Sequence, residues 1–428
     1  MVVAPHQNAS GDAFNILGWV NHQMKFMTRG DLFKTAIARF FLRGFGTIPI
    51  YRERDGRDAL KKNAEVFDFM NRVFKANGSV IIFPEANCVV RKQLRPLKKG
   101  ASRMAFAAEK AYDYKLGMIL LPAGLSYQNH SRFRSDCLVQ VGEPIEMSEY
   151  VDAYQEHPAK AINALTKRMK AEIEPLMINL NKDETYDLIN FLMESYTVSK
   201  MADDGETVKD QMSKFKRDRA LISDIEAAYD EHPDRVEALA EKAGEYEKAL
   251  ASHSLEPADT RFLKLENGEP RSTETSNPKL MRVLKMLLLL PLWLFGFVNN
   301  IAGYSISRAF VNKVVGPGQF YGSARVGIGG YASFWTYMIQ GGALWYFTGL
   351  WWLVLPYWVA SAYAGFGTLR IWDWWKDIGG RIKASNLKKE DLVALLSLRD
   401  EVYTEVDALR ENVASIEPSL RTKTESPR

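Results

Sequence analysis

A histidine and an aspartate lie six positions apart near the start of this sequence, at His6 and Asp12. An imidazole can take a proton from an alcohol when a nearby carboxylate holds it in one tautomer and stabilises its charged form. The pair alone is weak evidence, because a chain with 6 histidines will place one near an acid by chance. Its meaning depends on the residues that follow, up to about residue 147.

The elements that would position this pair alternate between strands and helices. Short apolar or β-branched runs predict strands at residues 2–4, 46–51, 79–83, 118–125 and 137–141. Segments of helical period predict helices at residues 58–74 and 99–111. This alternation predicts an α/β fold, in which helices pack on a sheet. Polar residues follow several of the strands, at the edge where open α/β sheets bind ligands.

Three further groups in this region could contribute chemistry. The strand at 46–51 precedes Arg52, whose guanidinium suits a phosphate group. The strand at 79–83 ends abruptly in Pro84-Glu85, and a basic patch follows it at Lys98, Lys99 and Arg103. A proline interrupts a later apolar strand, at 119–125.

Together these residues resemble the blocks of the glycerol-3-phosphate and lysophosphatidate acyltransferase family. Those blocks are Asn/Pro-His followed by Asp, Gly-x-Ile-Pro-Val-x-Arg, Phe-Pro-Glu-Gly-x-Ser, and an apolar strand containing Val-Pro. All four occur in order within about residues 3 to 146. The His-x5-Asp spacing and the run Ile48–Gly56 are most similar to the subgroup that acts on glycerol 3-phosphate or dihydroxyacetone phosphate. The resemblance implies an acyltransferase whose sheet is wrapped by helices.

The resemblance also implies a role for each residue. His6 would act as general base on a glycerol hydroxyl, and Asp12 would orient the imidazole. Glu85, with Pro84 before it, would order the acceptor pocket or hydrogen-bond the acceptor's hydroxyls. Arg52 would bind the acceptor phosphate, assisted by further cations at Lys98, Lys99 or Arg103. The donor would be acyl-CoA or acyl-carrier protein, and no metal, other cofactor or nucleic acid is expected.

Three features depart from the family's pattern. Ala86 stands where the third block has glycine, so a positive φ at this turn would strain the chain. Only five residues precede His6, whereas relatives generally have a helix or membrane-associated segment there, so a truncated start is expected. Asn21-His22 resembles the first block but lacks its acid, so His22 is interpreted as structural.

The remaining histidines and the first cysteine are interpreted as structural. Cys88 follows the third block but has no base motif nearby, which favours a small packing residue over a nucleophile. The histidines lie in predicted loops or charged helices, at His130, His157, His232 and His253.

Composition divides the chain into five regions. Residues 1–147 form the predicted acyltransferase catalytic domain, and residues 148–254 are charged and helical, typical of a scaffold or a cap that lies on a membrane. Residues 255–280 carry the prolines and glycines of a linker. A hydrophobic region at 281–376 and a helical, polar tail at 377–428 follow.

The hydrophobic region predicts membrane-associated helices. It contains 22 consecutive uncharged residues after Lys285 and 44 after Arg325, whereas about 20 suffice to span a bilayer as a helix. Two to three segments are predicted, at about 284–306, 328–348 and 350–369, with the last two joined near Gly341-Gly342 or Gly349. Pro291 also suits a re-entrant or interfacial first segment. Nine of the 10 tryptophans lie between Trp293 and Trp375, as in an interfacial belt.

The sequence therefore predicts a membrane-bound O-acyltransferase of phospholipid biosynthesis. Its catalytic domain is expected on the cytoplasmic face, since the two cysteines do not suggest a disulfide framework. A net charge of +4 suits anionic substrates or an anionic membrane surface. Two alternatives stay open: an acceptor that is lysophosphatidate or another lysophospholipid, and a catalytically impaired scaffold or pseudoenzyme. A transporter is disfavoured, because no charged residue lies between Arg325 and Arg370.

Overall fold

The computed structural model describes residues 1–20, 24–51, 57–130, 135–272, 278–315 and 321–416. Its contacts divide the chain into two compact units. The first unit comprises Met1–Asn179 and Val314–Val326, and the second comprises Leu180–Lys313 and Gly327–Arg428.

The first unit alternates strands and helices. Its strands are β1 Val2–Val3, β2 Met24–Arg29, β3 Thr47–Ile50, β4 Ser79–Ile82, β5 Ile119–Tyr127, β6 Cys137–Val141 and β7 Ile145–Glu146. Its helices are α1 Ser10–Trp19, α2 Ala36–Gly44, α3 Arg57–Lys75, α4 Gly100–Ala111, α5 Val151–Glu156 and α6 Pro158–Ile173.

The strands form one mixed sheet in the order β3-β2-β4-β1-β5-β6, with β7 beside β5. β1 runs parallel to β4 and β5, and β2 runs parallel to β3 and β4. β6 and β7 run antiparallel to β5. Because β1 and β4 are parallel neighbours, the loops that follow them leave the same edge of the sheet. Those two loops carry His6 and Glu85.

Helices cover both faces of this sheet. Val3, Val80 and Ile82 belong to a core cluster that includes residues of α3, α4 and α6. The alternate positions, Val2 and Ile81, belong to a second cluster that includes residues of α1. Successive side chains of a strand point to opposite faces, so strands buried on both faces are apolar at every position. The apolar runs in the sequence have this cause.

The sheet contains two strands outside the predicted strand ranges, the short β7 and the longer β2. β2 lies between β3 and β4, and its pairing runs from Met24 opposite Ser79 to Arg29 opposite Ile50. Met24 and Phe26 are buried and alternate with less buried residues, which is the pattern of a strand with one face on the core. His22, just before this strand, lies outside the described residues.

The second unit is almost entirely helical. Its helices are α7 Tyr186–Glu194, α8 Tyr196–Asp203, α9 Gln211–Glu231, α10 Pro233–Ser252, α11 Pro257–Thr260, α12 Pro278–Val314, α13 Tyr321–Thr348, α14 Val354–Ser385 and α15 Lys389–Ile416. The last residue of α12 and the first turns of α13 belong to the first unit. The stretch 255–280, predicted as a linker, contains α11 and an antiparallel hairpin of β8 Leu263–Glu266 and β9 Glu269–Ser272.

Helices occupy all three segments that the sequence predicts as membrane-associated. α12 continues through Pro291 as one helix, and α13 ends at Thr348 before Gly349, whose φ is +71°. The break therefore falls at Gly349, because glycine adopts this conformation without strain, and not at Gly341-Gly342. Within the described ranges, one segment is long and apolar enough to cross a membrane, Leu287–Val314. The other two crossings and the topology stay predictions.

An asparagine of α12 connects these helices inside the second unit. Asn300 of α12 accepts a hydrogen bond of 2.6 Å from the Tyr337 hydroxyl of α13. Its amide nitrogen donates to the Ser361 carbonyl of α14 over 3.1 Å. Polar groups among apolar helices need such partners, so these contacts stabilise the association of α12 with α13 and α14.

Candidate active site

His6 and Asp12 meet in the loop that joins β1 to α1. His6 follows β1, and Asp12 lies in the first turn of α1. The His6 Nδ1 and Asp12 Oδ2 atoms are 2.8 Å apart. Because a carboxylate only accepts hydrogen bonds, this contact favours the neutral tautomer that has its proton on Nδ1 and its lone pair on Nε2. The Asp12 side chain is fully buried while the His6 side chain is 21% exposed, so the imidazole is the accessible member of the pair.

The Asp12 carboxylate is held in one orientation by three further hydrogen bonds. Its Oδ2 atom accepts from the backbone amides of Gln7 and Asn8, each over 2.9 Å. Its Oδ1 atom accepts from the Tyr127 hydroxyl over 2.7 Å, and Asn15 donates to that hydroxyl over 2.9 Å. Tyr127 is the last residue of β5, so the sheet itself fixes the position of the acid.

The loop between His6 and Asp12 is tightly bent and packed. Ala9 has a φ of +45°, and its backbone amide donates to the Cys88 Sγ atom over 3.0 Å. The His6 ring stacks on Phe83, with 4.4 Å between the ring centroids. These contacts hold the loop against the residues that follow β4.

Glu85 braces the same loop from the neighbouring strand. It is 2% exposed, and its Oε2 atom accepts from the His6 backbone amide over 3.3 Å. Arg95 donates to Glu85 through its Nη2 atom over 2.7 Å and through its backbone amide over 3.2 Å. Burial raises the pKa of Glu85, and Arg95 opposes that rise. Both carboxylate oxygens have protein partners, which favours a positioning role; the predicted contact with acceptor hydroxyls stays a prediction.

The turn after Glu85 has the conformation that the family's glycine would favour. Ala86 has a φ of +66°, and its amide donates to the Phe83 carbonyl over 3.1 Å. A side chain in this left-handed region is strained, as the sequence predicts for a positive φ here. Pro84 is buried, and its carbonyl accepts from the Lys98 amide over 2.7 Å. The turn is therefore fixed at both ends despite the alanine.

The predicted cations lie around the start of α4. Lys98 and Lys99 precede the helix, Arg103 lies in its first turn, and all three side chains are exposed. The Lys98–Pro84 backbone contact joins this helix start to the third block. Arg52 lies outside the described residues. The residue before it, Tyr51, is held by Asn63, which accepts from its amide over 3.0 Å and donates to its carbonyl over 2.8 Å.

Four residues of this neighbourhood were not predicted as site residues: Tyr127, Arg95, Gln7 and His130. His130 lies 3.0 Å from the Gln7 Oε1 atom through its Nε2 atom, and its ring centroid is 4.9 Å from that of Tyr127. Burial, assisted by the positive charge of Lys92, lowers the pKa of His130 to about 4, so this ring is neutral at pH 7. The contact between His130 and Gln7 gave no signal in the sequence, because the two residues are 123 positions apart.

Among the described residues, His6, Asp12 and Cys88 place ligand-type atoms within 4.8 Å of one another. Burial raises the pKa of the Cys88 thiol to about 11, and thiolate is the form that binds metals. Asp12 Oδ2 already accepts three hydrogen bonds. The donor set therefore fits a metal poorly. The raised pKa also agrees with Cys88 as a packing residue.

This arrangement can perform proton transfer. The buried Asp12 carboxylate orients the accessible His6 imidazole through Nδ1, which leaves Nε2 available to accept a proton. The pair lies at the carboxyl ends of parallel strands, beside a cluster of exposed cations that suits an anionic ligand.

Parts of the chain are similar to known acyltransferases. Residues 1–126 match the family model named Acyltransferase. Glycerol-3-phosphate O-acyltransferase 2 of Saccharomyces cerevisiae is 27% identical over 176 residues, which cover 39% of this chain and 24% of that protein. Glycerol-3-phosphate O-acyltransferase 1 of the same organism is 26% identical over 132 residues, covering 29% of this chain and 17% of that protein. The chain thus matches about a quarter or less of each relative's length.

A solved structure also matches part of the chain. It is the 1-acyl-sn-glycerophosphate acyltransferase PlsC from Thermotoga maritima, at 21% identity and a TM-score of 0.27. The match covers 39% of this chain and 63% of that chain.

Proposed function

We propose that this chain transfers a fatty acyl group from a thioester donor to a hydroxyl of glycerol 3-phosphate or dihydroxyacetone phosphate. The match of residues 1–126 to the Acyltransferase family model supports this proposal. The observation that carries the proposal is the 2.8 Å contact between His6 Nδ1 and the buried Asp12 carboxylate. The donor is acyl-CoA or acyl-carrier protein.

The reaction follows from the free nitrogen of the pair. His6 Nε2 takes the proton of the acceptor hydroxyl while the hydroxyl oxygen attacks the thioester carbonyl carbon. The tetrahedral intermediate expels the thiolate as the new ester forms, and the imidazolium returns the proton to that sulfur. Asp12 stabilises the imidazolium while it exists, as in other base-and-carboxylate pairs. No acyl-enzyme intermediate is required.

The acceptor would bind through its phosphate. Three exposed cations lie at the start of α4, next to the turn that braces His6: Lys98, Lys99 and Arg103. Arg52 would add a bidentate donor. Two relatives are named glycerol-3-phosphate O-acyltransferases, which favours that acceptor over lysophosphatidate. A lysophospholipid would use the same phosphate and base, so it remains the second candidate acceptor.

The chain would act at a membrane. Its segment Leu287–Val314 is long and apolar enough to cross a bilayer, and the aromatic residues of α13 and α14 suit an interface. We place the acyltransferase domain on the cytoplasmic face, where acyl-CoA or acyl-carrier protein is available. Both the crossing by further segments and this orientation are part of the proposal.

An assay with membranes that contain the full chain tests the proposal. Labelled long-chain acyl-CoA is supplied with glycerol 3-phosphate, dihydroxyacetone phosphate or lysophosphatidate in turn, and membranes that contain His6→Ala measure the background. We expect label in a glycerolipid with one of the first two acceptors. Incorporation with lysophosphatidate alone would move the function to the second candidate. No incorporation with any acceptor or donor would contradict an enzymatic role and support a scaffold.

A further inference from the structure

The exposed face of α2 carries residues that water disfavours. Among the α2 residues whose side chains are described, those at positions 36, 39, 40, 43 and 44 are exposed, and the helical period places these positions on one face. Phe40 lies in the middle of this face and is 76% exposed. Arg39 and Arg43 flank it. An exposed helix face normally carries polar residues, whereas this face has a largely exposed phenylalanine at its centre, as contact surfaces do.

Apolar exposure continues on both sides of the helix. Leu32, in the turn before α2, is 47% exposed, and Phe45, just after it, is 58% exposed. The ring of Phe45 contacts that of Phe14 edge-on, with 6.2 Å between the centroids. We define the α2 surface by these exposed residues: Phe14, Leu32, Lys34, Arg39, Phe40, Arg43 and Phe45.

The charge of the α2 surface has one sign. Residues 32–51 contain three cations, Lys34, Arg39 and Arg43, and no acidic residue. Arg39 is fixed at the start of the helix, where its Nη1 atom donates to the Phe33 and Lys34 carbonyls over 3.2 and 3.1 Å. Aromatic rings between cations on one helix face are typical of helices that lie in the headgroup region of an anionic bilayer.

We propose that the α2 surface binds the headgroup region of an anionic phospholipid bilayer. Phe40 and Phe45 would enter the boundary with the acyl chains, and Arg43 would contact lipid phosphates. The same chain contains the candidate span Leu287–Val314, which would keep a bilayer within reach. This contact would hold the acyltransferase domain against the lipid surface, whichever acceptor it uses, so the inference does not rest on the proposed acceptor.

The chain supplies a matched control on α3. Phe67 is also an exposed phenylalanine of the first unit, at 37% exposure, but its neighbours include Glu65 and Asp68. α3 contributes to the core cluster on one face of the sheet, whereas Phe14 belongs to α1, which contributes to the other. Acidic neighbours would repel an anionic bilayer, so Phe67 should stay in water.

Depth-dependent quenching tests the inference on the full chain. The chain is reconstituted in lipid nanodiscs of phosphatidylcholine with about one third phosphatidylglycerol, with a bimane label at Phe40→Cys or Phe67→Cys. The parent chain, whose cysteines are Cys88 and Cys137, gives the blank. We expect lipids with a nitroxide on the acyl chain to quench position 40 about two-fold or more above position 67. Thermal unfolding of each labelled variant checks that the fold is kept.

The charge contribution is tested in the same preparation. Arg43→Glu, added to the Phe40→Cys variant, should lower quenching at position 40, as should discs of phosphatidylcholine alone. Equal quenching at positions 40 and 67 in anionic discs would overturn the inference. The inference would also be overturned if the label at position 40 were shielded from water but not quenched by the lipids, because another protein surface would then cover it. Acyl transfer is measured separately, so a failure of the proposed function is distinguishable from a failure of this one.

Discussion

Buried charges in the first unit differ from those in the second unit in what they contact. Asp12 and Glu85 lie beyond the ends of two neighbouring parallel strands and hold a histidine that solvent reaches. Lys214 and Asp218 lie one turn apart on α9 with exposures of 8% and 7%, and Lys214 also donates to the Met193 carbonyl. Burial of charge alone therefore does not identify a reactive site. A buried acid that orients an accessible base does.

Arg399 is another buried cation of the second unit, and it also contacts a backbone carbonyl. The guanidinium of Arg399 donates to the Thr260 and Leu263 carbonyls over 3.0 and 2.8 Å. These bonds satisfy backbone groups of α11 and β8, and the rest of the guanidinium donates to the Asp400 carboxylate. Such contacts stabilise a fold, because an unpaired buried carbonyl is costly. Substitution of Asp12 should therefore affect the rate, and substitution of Lys214 should affect the stability.

Asp12→Asn should have the largest effect, on rate. Asparagine can still accept from the Gln7 and Asn8 amides and donate to the Tyr127 oxygen, so the fold should be kept. It cannot stabilise an imidazolium, and we expect kcat to fall about 1,000-fold. Initial rates and thermal unfolding of the same preparation measure both properties. A rate within about ten-fold of wild type would contradict the role of the pair.

Lys214→Met should affect stability and leave the rate alone. It leaves the Asp218 carboxylate buried without its cation, so we expect the unfolding free energy to fall by about 3 kcal/mol. The kcat of the folded protein should stay within about two-fold. As control, Lys242→Met breaks the exposed pair with Glu401 and should cost at most about 0.5 kcal/mol. Equal costs for the two variants would refute the distinction.

His130 should make the stability depend on acid pH. Its folded pKa is lowered to about 4 from an ordinary value of 6.5, so the folded state binds fewer protons than the unfolded state between those values. The stabilisation is present above pH 6.5 and is lost as the pH falls through 4, by about 3 kcal/mol. Urea unfolding at several pH values compares wild type with His130→Gln. Parallel curves for the two proteins would show that His130 does not titrate this way.

Ala86→Gly should have the smallest effect, and of opposite sign. Glycine adopts the φ of +66° without strain, so we expect a gain of about 0.5–1 kcal/mol in unfolding free energy. Ala238→Gly, at an exposed position inside α10, is the control and should lose about 1 kcal/mol. A loss at both positions would mean that the turn after Glu85 is not strained.

The sequence predicted the elements of the first unit better than their arrangement. Both strands that precede the site gave clear apolar runs, and Ala86 was identified as a strained position if φ were positive. β2 was not predicted because Lys25, Thr28 and Arg29 interrupt its apolar residues, although Met24 and Phe26 alternate as in a strand. Strand order could not be predicted, since apolar runs that are buried on both faces do not specify their neighbours.

The contacts that hold the site residues in place could not be predicted from local sequence patterns either. Tyr127 reaches Asp12 across 115 positions, and the sequence around Tyr127 carries no mark of that contact. Arg95 was not predicted as a site residue, although it pairs with the buried Glu85 carboxylate. Contacts of this kind depend on which strands are adjacent, so they become visible only with the fold.

The central claim is that His6 takes the acceptor's proton, and the rate of His6→Gln tests it most directly. Glutamine keeps a side chain of similar size next to Asp12 but has no basic nitrogen. Acyl transfer from labelled acyl-CoA to glycerol 3-phosphate is measured at saturating concentrations of both, on protein whose thermal unfolding matches that of wild type. We predict a rate at least about 100-fold below wild type. A rate within a few-fold of wild type would contradict the account.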